Sequence, residues 1–204
     1  MELPDFAPLE PGTYFIDPDG DPSTPLRVVY EIPAEGWSGW IGAAKLADDG
    51  HVGVSITTVR NLVRHACRDH NPAKPPVGPT VDDLATALSN LAPFEVTSPP
   101  RDVSIYGYRG KHLELTVPDL EVEGEGDERR FARCITGKLK SWISPPALAG
   151  TFHGYNEEPG LTEEFWILDV EGTRLMISAV RSQRPPPQDH AELEAILDSI
   201  RIEP

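Results

Sequence analysis

The chain has 204 residues, of which 39% are hydrophobic and 22 are proline, and carries a formal charge of −15. One domain with a sizeable core is the default at this length, and the prolines argue for strands and loops over a helical bundle. The acidic balance speaks against nucleic acid or an anionic membrane surface, which need a positive field, and favours solubility or a cation-bearing partner. No run approaches the ~20 apolar residues of a membrane span. The start, MELPDFAPLEPG, has neither the basic flank nor the apolar run of a secretory leader.

Residues 1–12, Pro-rich and acidic, read as a tail or tether, and 13–204 as a single α+β domain. Residues 13–16 predict a short strand, 18–25 a turn cluster of Pro, Asp and Gly, and 26–32 a second strand rich in β-branched residues. Residues 41–46 and 51–59 predict a strand pair about the Asp-Asp-Gly turn at 48–50. The stretch 60–79 begins as a short helix and becomes a proline-broken loop. Thr80 then offers an N-cap with Asp83 at the third helical position. The helix that follows, about 80–92, sets Val81, Leu84, Ala85, Leu88 and Leu91 on one face.

Residues 94–100 lead into 103–118, a long strand or hairpin interrupted by glycine. Residues 121–130 form a charged loop, 137–142 a further strand, and 144–160 irregular surface. The last forty residues predict strand, tight turn at Glu171-Gly172, strand, Pro-rich break and amphipathic helix (about 189–200). Asp189 would cap that helix, with Leu193, Ile196, Leu197 and Ile200 on its buried face.

No motif for a reaction centre stands out. G-x-S-x-G is absent, as are the glycine-rich phosphate loops, so nucleophilic catalysis and nucleotide binding lack support. His65, Cys67 and His70 lie close together, but their spacing fits no common zinc pattern and no fourth ligand is evident. Asp17, Asp19 and Asp21 start like a calcium loop, yet the twelfth position is Val28 and the glycine comes too early. Local backbone hydrogen bonds are the better use for these aspartates. The run Glu121, Glu123, Glu125, Asp127, Glu128 reads as a solvated face. His112 and His153 read as structural or surface histidines. Aromatic residues are the better clue: Trp37 closes a strand and Trp40 follows a glycine, and with Tyr155 they are the candidate binding surface. Trp166 reads as core.

Five segments, YFIDPDGDPSTPLRVVYEIPAEGW, PPVGPTVDDLATAL, GYRGKHLELTVPD, FWILDVEGTRLMISA and ELEAILDSIRIEP, resemble in order and wording a group of actinobacterial proteins. Members of that group are commonly anchored outside the membrane by an N-terminal helix or lipid. The resemblance runs from about Gly12 to Pro204. More distantly, the plan is similar to the PsbP-like fold, an antiparallel sheet with helices on both faces, whose members are mostly accessory or binding proteins. The fold expected is therefore α/β (α+β), a PsbP-like α/β/α sandwich. In that setting the resemblance implies a disulfide between Cys67 and Cys134; the alternative is two separate buried thiols in a reducing cytosol.

The resemblance carries over no catalytic residue, metal or cofactor. It implies a non-catalytic binding or accessory domain, a monomer presented at the cell envelope, with an unknown protein or small molecule as partner. It implies no nucleic-acid partner and no membrane insertion by this chain itself. A small-molecule or lipid carrier with an apolar pocket between sheet and helix is one alternative. A hydrolase is another, and would need a buried histidine paired with a carboxylate beside a nucleophile. With no anchor or leader in the opening residues, a cytoplasmic location is the alternative to the envelope.

Overall fold

A computed structural model describes residues 7–47, 50–124, 129–145 and 153–204. β1 (Pro8–Leu9), β2 (Gly12–Ile16) and β3 (Arg27–Ile32) open the chain, and β4 (Trp37–Trp40), β5 (Gly42–Ala47) and β6 (Gly50–Thr58) form a meander. β7 (Asn61–His65) and β8 (Asp69–Pro72) precede α1 (Val81–Ser89) and the hairpin β9 (Glu95–Ile105), β10 (Tyr108–Thr116). Two short strands, β11 (Val122–Glu123) and β12 (Arg130–Phe131), lead to β13 (Leu139–Ile143) and β14 (His153–Asn156). β15 (Thr162–Val170), β16 (Thr173–Arg181), α2 (Pro187–Ser199) and β17 (Arg201–Glu203) close the fold.

The class is α+β with antiparallel pairing throughout. A central eight-stranded sheet has the order β1-β4-β5-β6-β16-β15-β10-β9; a four-stranded sheet runs β14-β13-β7-β8 and a three-stranded one β17-β3-β2. The β15–β16 hairpin turns on Glu171 and Gly172, both at positive φ (51° and 89°). That is the turn geometry whose twist matches the flanking strands, and glycine takes it at no steric cost.

Directly paired residues of antiparallel strands share a face, so register sorts the central sheet into two surfaces. One carries Trp166, Ile177, Val54, Ala43 and Lys45; the other carries Glu163, Phe165, Val180, Gly53 and Ala44. α2 packs between the first surface and β3. α1 lies on the second, against β10 and β15, and its Asp82 meets Lys111. The four-stranded sheet covers the rest of the second surface through a separate core of Val63, Leu139, Ile143 and Leu161.

The Cys67–Cys134 disulfide sits in that second core and closes a span of 67 residues. In the chain-entropy model a loop of this length adds roughly 4 kcal/mol. It ties the β7–β8 turn to the approach to β13, and backbone bonds from Ile135 to Cys67 and from Lys140 to Ala66 hold the same junction.

α1 starts as its sequence predicts: the Thr80 side chain accepts from Asp83 N, and the Asp83 carboxylate accepts from Thr80 N. α2 differs. It begins at Pro187, which lacks only a donor that a first-turn residue does not use. Asp189 is therefore not the cap; it lies inside the first turn and pairs with Lys45 at 2.7 Å.

Four further expectations change. Residues 61–72 form the β7–β8 hairpin in place of a short helix, because Leu62 and Val63 are buried and β7 pairs with β13. Residues 153–156 are a strand on the far side of β13. Leu9 is buried and β1 pairs with β4, so the packed chain reaches back into the expected tail. β9 continues through Pro99 and Pro100, which this edge strand tolerates because one of the two positions faces outward and the ladder to β10 is interrupted by a register shift between Ser98 and Arg101. Of the acidic run, 125–128 lie outside the described residues, as do 48 and 49 of the predicted turn; Glu121 and Glu123 pair with Arg133 and Arg130. No helix among the described residues is long and apolar enough to cross a membrane.

Candidate functional site

Trp37 and Trp40 stand three residues apart on β4, and alternation sends them to opposite faces of the sheet. Trp37 goes to the α2 side, fully buried, where its Nε1 donates to Glu192 Oε2 at 3.0 Å. It belongs to the core, which corrects its place on the expected binding surface. Trp40 goes to the other side and meets the Tyr155 ring of β14 edge-on, with centroids 6.0 Å apart.

These two rings stand at a cleft of about 330 Å³ between the central sheet and the four-stranded sheet. Ala44, Gly53 and Val180 give it a small-residue base, and Trp142 and Leu161 an apolar side. β13 carries Trp142 and β14 passes over it at Gly154, where a Cβ would overlap the indole nitrogen. Glycine at 154 is thus what lets the strand cross the Trp142 ring.

Glu163 of β15 also lines the cleft and is 4% exposed. Asn156 Nδ2 donates to its Oε2 at a long 3.4 Å. Trp142 Nε1 and Ser178 Oγ turn toward the same carboxyl without closing a hydrogen bond of ordinary geometry. No Lys, Arg or His among the described residues pairs with it. Burial pushes Glu163 above the ordinary carboxylate range, against the three surrounding donors, which favour the charged form.

The rim is also acidic. Glu157 lines it and pairs with Lys138, whose Nζ stands 4.3 Å from the Tyr155 ring centroid. His51 lies 3.6 Å from Glu158. Burial holds His51 below its ordinary value despite Glu158 and Glu157, so it is neutral at pH 7.

The other candidates have local structural uses. His65 Nδ1 accepts from the Cys67 and Arg68 backbone, His70 bonds to Ala66 O, and Cys67 is in the disulfide. Asp19 and Asp21 accept from backbone and hydroxyl groups two to five residues on, and Asp17 pairs with Arg27. Of His153 only the strand is described, and Phe152 lies outside the described residues. A larger groove of about 410 Å³ opens at the start of α1. Two of the three cations that line it are engaged, Lys111 by Asp82 and Asp102, and Arg174 by the Gly78, Thr80 and Val59 carbonyls; Arg109 is the third.

A buried histidine–carboxylate pair does occur, on the α2 side of the sheet. His112 Nε2 lies 2.5 Å from Glu164, which Arg181 links on to Glu194. The ring leans on Trp166, and its Nδ1 is buried without a hydrogen-bond partner, so no nucleophile hydroxyl is held by that nitrogen.

Sequence reasoning missed Glu163. It precedes Phe165 and Ile167 in phase, which is a signal of burial, but the strand is apolar on both faces and Glu164 gives the same signal for the other. No family model, curated protein or solved structure matches the chain, so the reading of this cleft rests on its own geometry.

Proposed function

We propose that the protein is a non-catalytic binding domain that captures a small molecule in the cleft between the central and four-stranded sheets. One observation carries the reading: a buried carboxyl without a counter-charge lines a cleft flanked by aromatic rings. Pockets of about 300–1,000 Å³ with apolar walls and a few convergent polar groups are the usual form of small-ligand sites. At about 330 Å³ this one suits a compact ligand or head group more than a whole lipid chain. It also differs in place from the carrier alternative, since it lies between two sheets and not between sheet and helix.

The disulfide supports presentation in an oxidising compartment, consistent with the envelope location that the resemblance implies. An antiparallel sheet with α1 and α2 on opposite faces supports the distant PsbP-like reading. The hydrolase alternative is disfavoured by the His112–Glu164 pair, which holds no nucleophile.

Native mass spectrometry of protein from an actinobacterial host, without reductant, tests the proposal. The expected spectrum shows a chain two hydrogens lighter than the reduced form, with an added mass that leaves on denaturation. Ala44→Phe, which fills the cleft, should lose that added mass. A bare chain, or an added mass that persists in Ala44→Phe, contradicts the reading.

A further inference from the structure

We propose that the cleft takes an organic ammonium ion, its charge set against Glu163 and its carbon skeleton against Trp40 and Trp142. This rests on the cleft being the binding site and adds the chemical class of its ligand.

Glu163 carries the first part of the argument. A buried carboxylate is stable when a cation and several donors share its charge. Here the donors are in place: Asn156 Nδ2 touches the carboxyl, and Trp142 Nε1 and Ser178 Oγ face it, 2% and 1% exposed as residues. The cation is the missing component among the described residues. A carboxylate accepts about four hydrogen bonds, and a single long one is closed here. An N–H-bearing cation entering the cleft supplies both the charge and the donors. Its arrival also allows the Trp142 and Ser178 donors to tighten onto a carboxylate that is now ionised.

The walls carry the second part. Aromatic faces attract cations, most strongly when the site is partly dry. Trp40 and Trp142 both line the cleft, and the Tyr155 ring beside them already receives the Lys138 ammonium.

The rim carries the third. Among the described residues, the charged and titratable groups at the cleft and its rim are Glu163 from β15, His51 from β6, Tyr155 from β14, and Glu157 and Glu158 just beyond β14, with Lys138, before β13, paired to Glu157. The cleft-facing residues of β5 and β16, Ala44, Leu46 and Val180, bear no charge. With His51 neutral and Lys138 spent on Glu157, this balance repels an anionic ligand and attracts a cationic one.

Calorimetric titration of the full chain with n-butylammonium, and with the neutral, similarly sized 1-pentanol, tests the inference. The ammonium ion should bind about tenfold tighter or better, the gain of a charge-assisted contact in a dry site. Its affinity should rise as pH rises above the ordinary glutamate range, because the amine stays charged while Glu163 gives up its proton. In Glu163→Gln, which keeps the side-chain shape, the preference should fall to about one and the Glu163 share of the pH slope should vanish. An ammonium ion that binds no tighter than the alcohol, or whose advantage survives Glu163→Gln, overturns the assignment. If both probes bind alike and Ala44→Phe removes both, the ammonium assignment fails and the cleft stands as a ligand site. If Ala44→Phe removes neither, both readings fail.

Discussion

Glu192 lies on the α2 side of the central sheet, where Lys45 Nζ approaches its carboxylate at 2.7 Å and Gln188 and the Trp37 indole donate to it. Glu163 lies on the other side, with three donors around it and no cation among the described residues. Burial opposes charge on both, but at Glu192 the hydrogen bonds and the charge of Lys45 prevail and hold it below the ordinary range. At Glu163 burial prevails. Both carboxylates have little solvent exposure, 8% and 4%, but Glu163 lies deeper in the protein, has a single long hydrogen bond closed on it and lacks a cation among the described residues. The completed set joins α2 to β5 and is structural; the incomplete one lines an open cleft, where a ligand can complete it.

The comparison breaks most visibly on the α2 side. Lys45→Met should leave Glu192 and Asp189 buried without their shared cation, at a cost of about 3–5 kcal/mol in urea unfolding. A loss below about 1 kcal/mol would mean that solvent already screens this cluster, and that Glu192 is no contrast to Glu163. On the cleft side, Gly154→Ala pushes a methyl group into the Trp142 ring. It should cost about 1–3 kcal/mol and displace the indole, seen as a shift in tryptophan emission.

The smallest effect sharpens the contrast most, because its sign is at issue. A carboxyl raised in the folded state contributes stability below the ordinary glutamate pKa, and loses it as pH rises through the raised value. Glu163→Gln should therefore gain on the wild type as pH rises from the ordinary glutamate value toward neutrality. Glu192→Gln should do the reverse. The lowered carboxyl contributes stability above the ordinary value, and that share disappears from the wild type as pH falls through the lowered one. Equal pH slopes in the two variants would remove the distinction between the faces.

Much of the frame was legible because local chemistry and tertiary demand agree there. Thr80 with Asp83 marks the start of α1, Glu171-Gly172 marks the long hairpin, and Leu193, Ile196 and Leu197 mark the buried face of α2. The four-stranded sheet was not legible. β7 offers two adjacent apolar residues between polar ones, and β14 is four residues long; each becomes a strand because β13 pairs with it. The cleft lies between this sheet and the central one, so its position was hidden with it. Trp40 and Tyr155 were visible as candidates, and Trp37 beside them illustrates the limit. Aromatic content says that a ring is present, while strand parity decides which face receives it.

The most direct test of this account is a carbon-detected NMR titration of the Glu163 and Glu192 carboxyl groups, with and without n-butylammonium. The account predicts Glu163 titrating above the ordinary glutamate range and Glu192 below it, with the ammonium ion lowering Glu163 alone. Glu163 titrating within or below the ordinary range, or holding its value when the ammonium ion is added, would contradict it.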